Sequence, residues 1–118
     1  MNQLDEALLN LRTHEGVEHV LLVGVDGLLV RHSGEESDLD PDRVSAMVPG
    51  LISAVDALGE AVGGGACATA VLELERGVAI VMPLSPELLL AVVLRSGVPF
   101  SKLLREVRRD RSHIAALV

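Results

Sequence analysis

Residues 17–33 read VEHVLLVGVDGLLVRHS and contain two apolar runs on either side of Asp26-Gly27. The first run, residues 17–25, predicts a strand whose centre is almost unbroken in apolar side chains. An Asp-Gly pair between two such runs is typical of a type I′ turn, because both residues tolerate a positive φ. We therefore expect residues 28–33 to return antiparallel to the first strand, with Asp26 in a structural role.

Residues 41–62 predict a long second helix. Asp40 supplies an N-cap, Pro41 suits the first helical position, and Gly63 suits the end. Pro49 lies mid-helix, where its missing N–H predicts a kink or a short break. The rest of the circumference is apolar and wider than the ~100° stripe that covers one sheet, so we expect a further surface to cover this helix. Its polar side chains fall close to one line: Asp42, Ser45, Ser53, Asp56 and Glu60.

The rest of the chain adds three strands and two helices. Residues 2–13 place apolar side chains on one helical face, and a last helix with a similar face begins near Pro99. Residues 66–75 alternate between small or apolar and polar side chains, which predicts a half-exposed strand. Two more strands follow, residues 78–82 and the wholly apolar residues 88–94, which suit the centre of a sheet. The order α-β-β-α-β-β-β-α predicts one α+β domain over all 118 residues, with an antiparallel sheet between helical layers.

Composition disfavours nucleic-acid binding. Hydrophobic residues make up 49% of the chain, but Phe100 is the only Phe, Tyr or Trp, so the usual base-stacking surfaces are missing. The net charge of −7 also repels a phosphate backbone. From residue 101 onward five basic and two acidic residues give +3, which leaves −10 for residues 1–100. This run fits a solvated helix face or a docking surface for an acidic partner. Its basic residues are Lys102, Arg105, Arg108, Arg109 and Arg111.

Cysteine usage and hydropathy predict a cytoplasmic protein. Cys67 is the single cysteine, so an internal disulfide is impossible, and no basic segment followed by an apolar one opens the chain. The longest apolar run, residues 88–94, is far shorter than the ~20 residues that cross a bilayer. We therefore expect no membrane insertion.

No motif predicts a catalytic, cofactor or metal site. A phosphate-binding loop needs glycines between a strand and a helix, whereas Gly59 and Gly63-Gly64-Gly65 end a helix, so a helix cap is favoured over an anion site. Cys67 lacks a nearby base and is interpreted as a small apolar residue. Glu73 and Glu75 could pair as acid and base but suit a solvated strand face better. The four histidines lack metal-ligand spacing: His14, His19, His32 and His113.

Three segments, taken with the order of elements, resemble the Roadblock family, the dynein light chain type of domain. They are Val-Asp-Gly-Leu-Leu at 25–29, the small-residue-rich second helix closing in Gly63-Gly64-Gly65, and Glu-Leu-Glu-Arg-Gly at 73–77. The resemblance extends from about Leu4 to Leu117. It is greatest for MglB-like bacterial members, which are encoded beside Ras-like GTPases. It implies a five-stranded antiparallel sheet with the first and third helices on one face and the second helix on the other.

The resemblance also implies a homodimer. Family dimers pair through the second helix and the third strand, here residues 41–62 and 66–75, which would supply the missing cover for the apolar helix. Pro49 departs from the uninterrupted second helix that is usual in the family. The implied interface residues are Val44, Met47, Val48, Leu51, Val55, Leu58, Ala66, Ala68, Ala70 and Leu72.

A small Ras-like GTPase is the partner that the resemblance implies, with the chain regulating or holding it and carrying no GTP site of its own. Two paired second helices would present their polar line as one composite surface, whose charge suits a basic partner. The candidate GTPase contacts are Asp42, Ser45, Asp56 and Glu60.

Two other functions fit the same pattern. A three-layer fold with a central antiparallel sheet can hold a small molecule between helix and sheet, although the apolar faces here offer few polar groups to orient one. A dimerisation scaffold unrelated to any GTPase fits as well. The sequence favours a non-catalytic homodimeric regulator or adaptor of a GTPase over both alternatives and over an enzyme.

Overall fold

A computed structural model describes residues 2–118, which form three helices and one five-stranded sheet. The elements follow in the order α1 (Gln3–Arg12), β1 (Val17–Gly24), β2 (Leu29–Gly34), α2 (Pro41–Ala61), β3 (Ala70–Leu74), β4 (Gly77–Pro83), β5 (Leu88–Leu94) and α3 (Ser101–Ala116). The predicted order and the α+β class are confirmed.

The sheet has the strand order β2-β1-β5-β4-β3, and all neighbouring strands are antiparallel. β5 occupies the centre, which confirms the prediction made from its apolar sequence. It is held on both sides, since Val92 pairs with Val20 of β1 and with Ile80 of β4. β2 and β3 form the edges, so within residues 2–118 each leaves one row of backbone groups without a strand partner.

Alternation along β1 divides the interior into two layers. Val20 and Leu22 face α1 and α3, whereas Leu21 and Val23 face α2, and all four are fully buried. Burying each such side chain contributes about 1.5–3 kcal/mol. The implied placement of α1 and α3 on one face and α2 on the other is confirmed. The apolar face expected for the last helix is buried in α3 by Leu103, Val107 and Ile114.

The turn between β1 and β2 differs from the predicted type I′ form. The N–H of Gly27 donates to the carbonyl of Gly24 (2.9 Å), so Val25 and Asp26 are the central residues of the turn. Gly27 follows with φ +84°, whereas Asp26 keeps a negative φ. A carboxylate oxygen of Asp26 accepts from the N–H of Leu28 (3.1 Å), which stabilises this form. The hairpin is confirmed, but its connection is a type I turn followed by a left-handed glycine.

The second helix begins as predicted and runs without a break. A carboxylate oxygen of Asp40 accepts from the N–H of Arg43 (3.2 Å), which caps the first turn. The short break expected as one outcome at Pro49 does not occur, since the helix continues through this residue. Proline cannot donate to the carbonyl of Ser45, one turn earlier. The side chain of Ser45 makes a separate contact that fixes this part of the helix, since its hydroxyl donates to the carbonyl of Gly27 (3.0 Å).

The third strand is shorter than predicted. The sequence predicts a strand over residues 66–75, but only Ala70–Leu74 form it. Residues 62–69 form a loop that folds back on the end of α2. Gly63 has φ +73°, and the N–H groups of Gly63 and Gly64 donate to carbonyls in the last turns of α2. The predicted helix end at Gly63 is therefore confirmed.

Two histidines form a hydrogen-bonded pair at the edge of the sheet. His19 of β1 is buried, its Nδ1 lies 3.1 Å from Nε2 of His32 in β2, and its Nε2 lies 3.0 Å from Oγ of Ser37. The two rings stack with their centroids 5.3 Å apart. Burial lowers the pKa of both histidines, and the proximity of His32 lowers the pKa of His19 further. The folded protein therefore favours the neutral pair.

We expect the protein to lose stability as the pH falls below about 6.5, the ordinary pKa of histidine. The unfolded chain takes up protons there, whereas the folded pair is protonated only at lower pH, so added protons favour unfolding. The urea midpoint should be constant between about pH 8 and 7 and lower at about pH 5.5. Replacing His32 with Gln should flatten this decline. An equal decline in the variant would show that the pair is not its source.

Candidate functional site

One side of α2 packs on the sheet, and the other side is uncovered. Val48 and Ile52 are buried in the layer between α2 and the sheet. On the outer side Met47 and Leu58 remain 65% and 62% exposed, and Val62, which follows the helix, is 71% exposed. Large apolar side chains exposed together along one helix are typical of interaction surfaces.

A row of small residues, here named the small-residue stripe, runs along this outer side. Its members are spaced by four, four, three and four positions, so they share one face of the helix, and each is exposed. A Cβ added at Gly50 would meet no atom within 4 Å. Small side chains allow the axis of a second helix to approach closely. The stripe consists of Ala46, Gly50, Ala54, Ala57 and Ala61.

The edge strand β3 exposes apolar side chains on the same face of the molecule. The main contacts of α2 are with β1, β2, β4 and β5, so the helix leaves β3 largely uncovered. Ala70 pairs with Val81, which belongs to the α2 layer, so Ala70, Leu72 and Leu74 face the side of α2. Leu74 is 62% exposed. Both α2 and β3 therefore present apolar surface that this chain does not cover.

The residues expected at a dimer interface fall into three groups. Val48 and Ala70 are buried in the core of their own chain. They therefore contribute to the core and not to an exposed interface surface, which corrects the expectation for these two residues. Two are exposed in the loop before β3 and do not belong to the strand: Ala66 and Ala68. Six are exposed or half-buried, and two of these, Val44 and Leu51, also pack against the layer between α2 and the sheet. The six are Val44, Met47, Leu51, Val55, Leu58 and Leu72.

The polar line of α2 does not form a single exposed surface. Ser45 is fully buried, and its hydroxyl is engaged by the carbonyl of Gly27, so its assignment as a partner contact is wrong. Asp42 and Glu60 are exposed near the two ends of the helix. Asp56 is exposed as well, but its carboxylate also has a structural role.

Asp56 anchors the loop that follows α2. One of its carboxylate oxygens accepts from the N–H of Cys67 at 2.7 Å. The same loop lies on Gly59, because the N–H groups of Gly64 and Gly65 both donate to the carbonyl of Gly59. A Cβ at position 59 would collide with the carbonyl oxygen of Gly65. Only glycine fits there without moving the loop.

The glycine run and Cys67 are occupied by structural roles. The N–H groups of Gly63, Gly64 and Gly65 all donate to carbonyls of α2, so they do not converge on an open anion site. The interpretation as a helix cap is therefore confirmed. Burial raises the pKa of the Cys67 thiol, and the Asp56 carboxylate raises it further. The thiol is therefore protonated at neutral pH, which disfavours nucleophilic chemistry.

The other candidate chemical groups are dispersed. Glu73 and Glu75 are exposed at the end of β3. His14 lies 2.7 Å from a carboxylate oxygen of Glu106, which joins the end of α1 to α3. Within residues 2–118, no three His, Cys, Asp or Glu side chains come together as metal ligands do. The uncovered apolar surface of α2 and β3 is therefore the candidate site.

Solved structures of other proteins share this architecture. One described as MglB with a tetrameric arrangement has a TM-score of 0.88 at 20% identity and covers 98% of this chain and 87% of that one. The gliding protein MglB from Thermus thermophilus has a TM-score of 0.86 at 21% identity, covering 97% and 87%. A Roadblock/LC7 domain from Streptomyces avermitilis has a TM-score of 0.84 at 23% identity, covering 98% and 97%. At these identities the likeness shows the fold.

The sequence match identifies the family. Among curated proteins none matches this sequence significantly. Residues 3–94, however, match the Roadblock/LC7 domain, and they extend from the start of α1 to the end of β5, which is most of the chain. We conclude that this chain belongs to the Roadblock/LC7 domain family.

Proposed function

We propose that this chain is a homodimeric regulator or adaptor of a small Ras-like GTPase, acting in the cytoplasm without catalytic machinery of its own. In the dimer, two α2 helices pack along their small-residue stripes, and the β3 edges of the two sheets meet. The resemblance to MglB-like members supports the GTPase as partner. The tetrameric arrangement named for one structural relative supports assembly of copies.

The apolar surface that the chain leaves uncovered carries this proposal. α2 is long and apolar enough to cross a membrane by length and composition alone, and only 17% of its most apolar window is buried. Its inner side is nevertheless fixed to the sheet through Val48 and Ile52. Insertion would carry the unpaired edge of that sheet into hydrocarbon, which is unfavourable. A second copy offers the same apolar surface, as a two-fold interface requires.

The GTPase contact is proposed at the exposed carboxylates of the paired helices. Asp42 and Glu60 are the candidates whose side chains are exposed and have no structural partner among residues 2–118. Asp56 remains a candidate, but reversing its charge would also release the N–H of Cys67, so it is a poor test. Carboxylates at the margin of an interface mainly raise the rate of encounter with a basic partner.

Reversal of Asp42 and Glu60 to Lys should slow association with the partner GTPase. We expect about a tenfold lower association rate at low salt and a weaker salt dependence, because long-range attraction is removed. Biolayer interferometry at two salt concentrations would measure both. The matched control replaces Glu6 and Glu15 with Lys, which makes the same change in charge on exposed residues outside α2.

Three results would contradict these assignments. An equal loss of rate in the control would show that total charge, and not the surface of α2, determines the encounter. Loss of binding only when Lys102, Arg105 and Arg108 are reversed to Glu would place the contact on α3. Failure of the unmodified dimer to bind any GTPase of the same cell would exclude the proposed function.

A further inference from the structure

The charges of α3 are separated by side. Four exposed basic residues, here named the basic stripe, lie on the outer side of the helix: three are spaced by three positions, and the fourth directly follows the third. The acidic residues lie toward α1, since Glu106 contacts His14 and Asp110 lines the cleft between the two helices. In the described part of the chain, three members of the stripe form no ion pair, and Arg109 pairs with Asp110 (3.0 Å). The basic stripe consists of Lys102, Arg105, Arg108 and Arg109.

An acidic counterpart lies at residues 35–42, EESDLDPD, here named the acidic segment. It contains five carboxylates and no basic residue, and all five acidic residues are exposed. The segment is held in a defined path, because Ser37 lies within hydrogen-bonding distance of His19 (3.0 Å) and Asp40 caps α2. It is therefore presented in an ordered form, which lowers the entropic cost of binding.

The two charged regions lie toward opposite edges of the sheet. The acidic segment follows β2, which forms one edge. The basic stripe reaches the other edge, since Nε of Arg108 donates to Oγ1 of Thr69 (3.4 Å), the residue directly before β3. The stripe and the segment of one chain therefore cannot meet, and any contact between them joins two molecules.

We propose that the basic stripe binds the acidic segment of a second copy of this chain. Three of the four side chains in the stripe are arginines, whose planar guanidinium groups donate paired hydrogen bonds to carboxylates. A flat anionic membrane fits this face less well, because exposed Glu6 and Glu15 belong to α1 and its following loop on the same side. A nucleic acid would meet the repulsion of a net charge of −7.

This contact is head-to-tail, because two different surfaces meet. In an assembly built by such contacts, the first and last copies each retain one unused charged surface, which can bind a further copy. The assembly therefore grows as an open chain unless the rotation between copies closes it into a ring. The contact uses neither the small-residue stripe of α2 nor the edge of β3, although the segment ends at Asp42, which is also a candidate GTPase contact. It therefore joins monomers or dimers alike and does not rest on the proposed GTPase function.

Sedimentation velocity of the whole chain tests this inference. At about 20 mM salt, where the screening length exceeds 10 Å, we expect the mean sedimentation coefficient to rise with protein concentration. At about 500 mM salt the sedimentation coefficient should fall to that of the monomer or dimer that lacks this contact, because exposed ion pairs are screened. A sedimentation coefficient that is independent of salt would overturn the proposal.

Charge reversal provides the specific test. The first variant carries Lys102→Glu, Arg105→Glu and Arg108→Glu, and the second carries Glu35→Lys, Glu36→Lys and Asp38→Lys. Each alone should lose at least about tenfold in association constant at low salt, because its stripe and segment then carry like charges. An equimolar mixture should recover association, since the reversed stripe then meets the reversed segment.

A net-charge control and a membrane test complete the design. Replacing Glu6, Glu15 and Glu87 with Lys makes the same change in charge as the second variant but leaves the segment intact, so association should persist. Circular dichroism checks that each variant is folded. Failure of the mixture to recover association would overturn the contact. Stripe-dependent binding to anionic phospholipid vesicles without self-association would replace it with a membrane contact.

Discussion

Replacing Leu58 with Asp is expected to convert the proposed dimer into monomers of 12.5 kDa. Leu58 is 62% exposed in the single chain, so a carboxylate there stays solvated and the monomer keeps its fold. In the dimer the carboxylate would be buried among apolar side chains without a partner, which costs about 3 kcal/mol or more. Association should weaken by more than about a hundredfold. Light scattering at micromolar concentration should detect the loss of half the mass.

Leu9→Asp is the matched control for this prediction. Leu9 is also an exposed leucine, at 42%, but it belongs to α1 on the opposite face of the sheet. Its variant should keep the mass of the dimer. Loss of the dimer in both variants, or in neither, would show that the outer surface of α2 is not the interface. An unmodified protein that is monomeric would remove the interface altogether.

The order of elements could be predicted because each element has a signal in its own residues. β5 is apolar at every position and lies at the centre of the sheet. The hairpin of β1 and β2 was also predictable, but its turn type was not. Asp-Gly allows two solutions, and the bond from Leu28 N–H to Asp26 selects the one in which only Gly27 has a positive φ.

The depth of side chains on α2 could not be predicted from its period. A helical period shows which residues share a face, but not which face turns toward the sheet. Ser45 illustrates this, because the carbonyl that it binds belongs to Gly27, eighteen residues away in the sequence. The small-residue stripe is visible in the spacing of Ala and Gly. The apolar circumference of the helix, however, is set mainly by larger side chains such as those of Met47 and Leu58.

The start of β3 could not be predicted for a similar reason. Residues 66–69 alternate as a strand does, but their backbone is drawn into the loop after α2 by contacts that span many residues. The carboxylate of Asp56 accepts a hydrogen bond from the N–H of Cys67. The carbonyl of Gly59 accepts hydrogen bonds from the N–H groups of Gly64 and Gly65. Gly59 thus fixes where the chain turns, although in the sequence it resembles an ordinary glycine within a helix.

Gly59→Ala should therefore reverse the usual preference for alanine in a helix. At an open helical position the replacement stabilises a protein by up to about 1 kcal/mol. At Gly59 the added methyl collides with the carbonyl oxygen of Gly65, so the cap has to move and its bonds are strained. The bond from Cys67 to Asp56 is strained with it. We expect the free energy of unfolding to fall by about 1–3 kcal/mol, measured by urea denaturation.

Gly50 is the matched control, because the same substitution there should change the free energy of unfolding in the opposite direction. It lies in the same helix, and a Cβ there meets no atom within 4 Å, so Gly50→Ala should raise the free energy of unfolding by about 0.5–1 kcal/mol. Because Gly50 belongs to the small-residue stripe, both substitutions are best compared in the Leu58→Asp background, where dimer formation does not contribute. Shifts of opposite sign are expected. Stabilisation by both would mean that the loop yields to the methyl at Gly59, so its contact with α2 would not be what ends the helix.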